Sequence, residues 1–132
     1  MKTVHEMAKL TGLTVRTLHY YDEIGLLRPS RLSDSGYRLY DEPELRALQQ
    51  VMFFRELGFP LSDIRVLMDA EINQKEKLEA LRELLFLQRD RLDRLIALIS
   101  EQLDGTGPVR FAEFDASDIE DAKRDFKTGI YR

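Results

Sequence analysis

From Gln74 to Leu103 the chain runs thirty residues without a proline or a glycine. Asn73 with Glu76 has the form of an N-terminal cap, and Gly105 supplies the stop. The spacing predicts a single helix about 45 Å long at a rise of 1.5 Å per residue, far beyond the average globular helix. With Leu78 as position a of a heptad, the a sites are Leu78, Leu85, Leu92 and Ile99, and the d sites are Leu81, Gln88, Leu95 and Gln102. Six of these eight are apolar, and in a chain of 132 residues too little remains to cover such a rod. Left in water the seam would be costly, so residues 73–104 read as a dimerisation helix, with Leu78, Leu81, Leu85, Leu92, Leu95 and Ile99 at the contact. The competing arrangement folds the helix back on its own domain. Leu84, Leu87 and Leu98 lie off the strict seam, where they can touch the rest of the chain or its partner.

Composition removes several classes of function. There is no cysteine, which excludes disulfides, thiolate metal sites and a catalytic thiol. His5 and His19 are the only imidazoles, too few to suggest a structural zinc site, and no cofactor is expected. No apolar run reaches the roughly 18 residues of a membrane span, and no signal-peptide pattern opens the chain, so a soluble, cytoplasmic protein is expected. The net charge of −4 argues weakly against an anionic partner, but it is unevenly spread. Residues 1–40 hold six Lys/Arg against four Asp/Glu, and residues 41–132 hold fourteen against twenty. An anion-binding surface belongs near the N-terminus.

That half divides into short elements. Thr3 and Glu6 form a capping box for a helix that stops at Gly12, and Thr14 caps a second helix with Val15 and Leu18 on its inner face. Asp34-Ser35-Gly36 separates Arg31-Leu32 from Tyr37-Arg38-Leu39-Tyr40, the pattern of a small β-hairpin. Asp41 and Pro43 open a third helix, which Gly58 closes, and Pro60 starts a fourth. Residues 1–72 read as one compact unit. Gly105-Thr106-Gly107-Pro108 reads as a linker, and Ser117 caps a last short helix in a tail, 105–132, too small to enclose a ligand alone.

Small Ala8 at a helix crossing, Gly12 in the turn and Leu18 six residues on meet the steric needs of a helix-turn-helix. Its second helix shows Arg16, Thr17, His19 and Tyr20, donors suited to base edges and phosphates from a major groove. Tyr37 and Arg38 stand in the hairpin beside it, as on a wing.

The runs Val15-Arg16-Thr17-Leu18-His19-Tyr20-Tyr21-Asp22-Glu23-Ile24-Gly25-Leu26-Leu27, Gly36-Tyr37-Arg38-Leu39-Tyr40 and Phe53-Phe54-Arg55-Glu56-Leu57-Gly58-Phe59 closely resemble the N-terminal domain of MerR-family transcriptional regulators. His19 departs from the family's common arginine and is similar to the TipA/Mta-like branch. The resemblance implies a mainly α protein, a winged helix-turn-helix DNA-binding domain followed by a long antiparallel coiled coil. It also implies that Thr14, Arg16, Thr17 and His19 contact DNA from the recognition helix, that Tyr20 and Tyr21 approach the sugar-phosphate backbone, that Tyr37 and Arg38 act from the wing, and that Arg55 binds phosphate. Tyr21 and Tyr37 fit a core role as well, and His19 fits a bond within its own domain.

The expected function is that of a homodimeric regulator on double-stranded promoter DNA, an autoregulatory activator that distorts an over-long promoter spacer for RNA polymerase. The tail is expected to be the remnant of an effector region, so that the chain either activates without ligand or takes a small-molecule effector. The rival is a coiled-coil adaptor whose winged domain binds protein. An enzyme is not expected: neither histidine has a Ser or Cys partner at a telling spacing, and no Gly-rich phosphate loop is present.

Overall fold

A computed structural model describes residues 1–130. The chain divides into two units, Met1–Asp69 and Ala70–Arg132.

In the first unit a two-residue strand β1 (Lys2–Thr3) leads directly into helix α1 (Val4–Thr11). The expected capping box forms: the Glu6 backbone N–H donates to Thr3 Oγ1 at 3.2 Å, and the Thr3 N–H donates to Glu6 Oε1 at 3.0 Å. Gly12 ends α1 at φ +78°, a conformation that L side chains rarely adopt. Helix α2 (Val15–Glu23) follows after three residues, capped by the Thr14 hydroxyl accepting from the Thr17 N–H at 3.0 Å. Strands β2 (Arg31–Leu32) and β3 (Arg38–Tyr40) make the hairpin, and β3 lies between β2 and β1 in an antiparallel sheet. Lys2 pairs with Tyr40 and Thr3 with Leu39, so the chain start is stitched to the wing.

Helix α3 (Glu42–Glu56) carries Pro43 in its first turn, and the Asp41 N–H donates to the Glu44 carboxylate at 3.0 Å. Helix α4 (Leu61–Asp69) packs on α3. The core of this unit is made by Met7, Leu18, Tyr21, Tyr40, Leu48, Val51, Phe54, Ile64 and Leu67, all nearly or fully buried. Phe54 and Phe59 meet edge to face at 5.5 Å. Each element contributes one apolar stripe, which is why four short helices and three very short strands hold together.

In the second unit helix α5 spans Gln74–Leu103, the range that the cap and stop residues predict. A 3₁₀ turn (Ala112–Phe114) and helix α6 (Ser117–Ile130) fold back against it. Arg94 reaches Asp118 at the start of α6 at 3.5 Å, whereas Phe126 near its end shares a groove with Glu76 and Ala80, so α6 runs antiparallel to α5. Leu98 and Ile119 are buried. Arg110 pins the connection, with Nη2 donating to Glu101 Oε1 at 2.7 Å and Nε donating to Glu113 Oε1. The last helix expected from Ser117 forms, and it packs as a second layer on α5.

Candidate nucleic-acid interface

Nine residues of α2 at 100° per residue place Arg16, Thr17, His19 and Tyr20 on one side of the helix and Leu18 and Tyr21 on the other. Burial follows that division. Leu18 is buried, Arg16 and Tyr20 are exposed, and Thr17 and His19 are half-buried at the margins. The Thr14 and Thr17 hydroxyls share a hydrogen bond of 2.9 Å, so their first task is to fix the start of the helix. Glu23 sits on the same outward face one turn beyond Tyr20 and confines positive charge to the amino-terminal part.

The hairpin stands beside α2 through one ion pair. Arg38 Nε donates to Asp22 Oδ2 at 2.8 Å, and both side chains keep part of their surface in water. The Asp22 carboxylate holds the Arg38 guanidinium above its ordinary range. Only one edge of the planar guanidinium is used in this way, which leaves its other nitrogens to face a ligand. The sequence reading did not single out Asp22. Its place at i+4 from Leu18, on a helix read for its outward face, hid its role toward a residue sixteen positions later. Tyr37, next along the wing, is 67% exposed, which favours the surface role over the core one.

Tyr21 is placed differently. Its ring is 2% exposed and belongs to the core, and burial pushes its hydroxyl up while the adjacent Arg55 guanidinium opposes that shift. Tyr21 therefore supports Arg55, which is itself exposed at the end of α3. Of the nine residues assigned to DNA, eight keep exposed or half-buried surface in this one unit, and Tyr21 holds one of them in place.

The second unit shows a free apolar row. Leu78, Leu85, Leu92, Ile96, Ile99 and Leu103 are all exposed, with Arg82 and Arg89 completing the same stripe at alternating steps of four and three. Arg89 lies over the Phe86 ring at 4.9 Å from its centre. Leu81 and Leu95, assigned to the seam from the sequence, are elsewhere: Leu81 is buried and Leu95 half-buried. The exposed stripe keeps heptad spacing, but with its second row one residue later, at 82, 89, 96 and 103. Of the leucines off the predicted seam, Leu84 and Leu98 are buried and Leu87 is half-buried. A groove of about 700 Å³ near the start of α5 is lined by Glu71, Ile72, Glu76, Asp125 and Phe126 among others. Among the described residues no cluster of His, Asp or Glu could hold a metal ion, and no helix is long and apolar enough to cross a membrane.

Known proteins share this arrangement. The MerR HTH family regulatory protein profile matches residues 2–71. The transcriptional activator mta of Bacillus subtilis is 37% identical over 131 residues, covering 93% of this chain and 51% of that protein. The crystal structure of the regulator SkgA from Caulobacter crescentus superposes with a TM-score of 0.76 at 37% identity, covering 94% of this chain and 95% of that one. The structure of HiNmlR, a MerR family regulator lacking the sensor domain and bound to promoter DNA, superposes with a TM-score of 0.64 at 25% identity, covering 77% of this chain and 86% of that one. The chain spans about half the length of its relative mta.

Proposed function

Because the chain belongs to the MerR family of helix-turn-helix regulatory proteins, on the mta side of that family, we propose that it is a sequence-specific transcriptional regulator that grips promoter DNA as a homodimer. The observation that carries the reading is the division of α2 into a buried face and an outward face bearing Arg16, Thr17, His19 and Tyr20, with Arg38 braced beside it by Asp22. Arg16 and His19 read base edges at the helix's amino-terminal end. Thr14, Thr17, Tyr20, Tyr37, Arg38 and Arg55 take phosphate and sugar contacts that set register. That the similar regulator HiNmlR is bound to promoter DNA supports DNA as the ligand of this domain.

Dimerisation runs along the free stripe of α5: Leu78, Leu85, Leu92 and Ile99, joined by Ile96 and Leu103, while Leu81 and Leu95 serve the fold of their own chain. Two reading heads must reach half-sites about 34 Å apart, and a rod of about 45 Å is long enough to hold them. The dimer distorts an over-long promoter spacer so that RNA polymerase engages both promoter elements in the cytoplasm, a deformation costing several kcal/mol. A small-molecule effector has its seat in the acidic and apolar groove at the start of α5, which suits a lipophilic cation. The adaptor alternative has no observation in its favour.

Footprinting of the purified protein on its own upstream region tests the reading. Protection across both promoter elements, with hypersensitive bases near the centre, is the expected result. An upstream region left wholly unprotected at low salt would overturn it.

A further inference from the structure

Gly25 ends α2 at φ +73°, and two arginines from different elements converge on it. A Cβ placed on Gly25 would lie 3.4 Å from Arg28 Nη2 and 3.8 Å from Arg65 Nη2. The two guanidinium nitrogens are therefore within about 7 Å of one another, a gap that the oxygens of one phosphate bridge with two charge-assisted hydrogen bonds of about 2.8 Å each. Both side chains are exposed. Among the described residues neither has a hydrogen bond or an ion pair. Asp22, the carboxylate three residues before Gly25, is committed to Arg38.

We propose that Arg28 and Arg65, meeting over the bare backbone of Gly25, form a binding site for one phosphate of the DNA backbone, additional to the contacts of α2 and the wing. The inference rests on the DNA-binding reading and adds to it two residues that the family resemblance did not supply.

Three features support the pairing. Two like charges brought together with no ion-pair partner among the described residues repel each other, and an anion between them reverses the sign of that interaction. The carboxyl end of α2 draws cations to this spot, but its partial charge of about half a unit balances neither guanidinium fully. The spot is also in the right place. The amino-terminal residues of a recognition helix face the bases, and nine residues at 1.5 Å carry its far end about 13 Å away, comparable to the roughly 12 Å width of the major groove and hence at the phosphates of its rim. A Cβ on Gly25 would make only ordinary contact with the two guanidiniums, so the glycine itself is called for by its φ of +73°.

The test compares the wild-type chain with the double variant Arg28→Gln, Arg65→Gln on the protein's own promoter fragment, with affinity followed by fluorescence anisotropy from low to moderate salt. Losing one phosphate in each half-site should lower the slope of log K against log salt by about 1.8. Affinity for operator and for unrelated DNA should fall by the same factor. Ethylation interference should lose one phosphate per half-site, and Arg28→Lys with Arg65→Lys should keep most of the slope. An unchanged slope and interference pattern would overturn the proposal. Should wild type bind no promoter DNA, the family reading fails on its own account. The pair is then judged by thermal melts in inorganic phosphate against chloride at equal ionic strength. A phosphate-specific rise in wild type and not in the double variant supports it, and equal behaviour removes it.

Discussion

Replacing Leu92 by glutamate should break the dimer while leaving each chain folded. Leu92 lies midway along α5 and is 50% exposed. Fully burying a leucine is worth roughly 1.5–3 kcal/mol, so the half left in water gives about 1 kcal/mol per copy and about 2 in a symmetric pair. Leu92→Ala should therefore raise the dimer dissociation constant about thirtyfold, at 1.4 kcal/mol per tenfold. Leu92→Glu adds the cost of burying a carboxylate in each copy, several kcal/mol more, and should give monomer at micromolar concentration. Sedimentation velocity reads the mass, and circular dichroism confirms that helix content is kept. Leu98→Glu is the control: Leu98 is 4% exposed, so the same change there should unfold the second unit. A Leu92→Glu chain that sediments as a wild-type dimer would refute the assignment of this stripe.

Arg16→Ala and Arg38→Ala should each weaken promoter binding by about 1–3 kcal/mol in anisotropy titrations, Arg16 with relaxed specificity and Arg38 uniformly across sequences; unchanged affinity in both would remove the proposed surface. Asp22→Asn should change stability by under about 1 kcal/mol, as for other partly exposed pairs, yet lower DNA affinity through the loosened Arg38, and that effect should vanish when Arg38 is already alanine. Glu6, Glu113 and Asp115 have their carboxyls held below the ordinary range, Glu6 by its hydrogen bonds to Thr3, Glu113 by Arg110 and Asp115 by Ser117. A lowered folded pKa stabilises above the unfolded value and is lost as pH falls through the folded one, so melting temperature should drop below about pH 4.5, less steeply in Glu113→Gln. Gly12→Ala meets no atom within 4 Å but keeps a positive φ, so urea titration should show a loss of about 1–2 kcal/mol from backbone strain alone.

Local grammar made much of this fold legible. The Thr3–Glu6 capping box, the Gly12 stop, the Thr14 cap and the limits of α5 each depend on two or three neighbouring residues and appear as read. Strand β1 was not foreseen, because two residues carry no alternation and it exists only by pairing with β3. The α5 seam was ambiguous for a different reason. Counting from Leu78, the row through 81, 88, 95 and 102 and the row through 82, 89, 96 and 103 complete heptads with the same number of apolar residues. Pattern alone cannot choose between them; the burial of Leu81 favours the second row as the one open to a partner. Tyr21, Asp22, Arg28 and Arg65 needed three-dimensional neighbours, since each takes its role from a residue on another element or turn.

The antiparallel return of α6 gives α5 two clients on different sides. In the proposed dimer the tail occupies one flank and the exposed stripe on another flank meets the second copy, so variation at the carboxyl end would accumulate without disturbing the pairing register. In that proposed dimer an effector bound at the tail would not compete with the partner for the stripe. A signal from the tail would then have to pass through a tilt or roll of the thirty-residue rod itself.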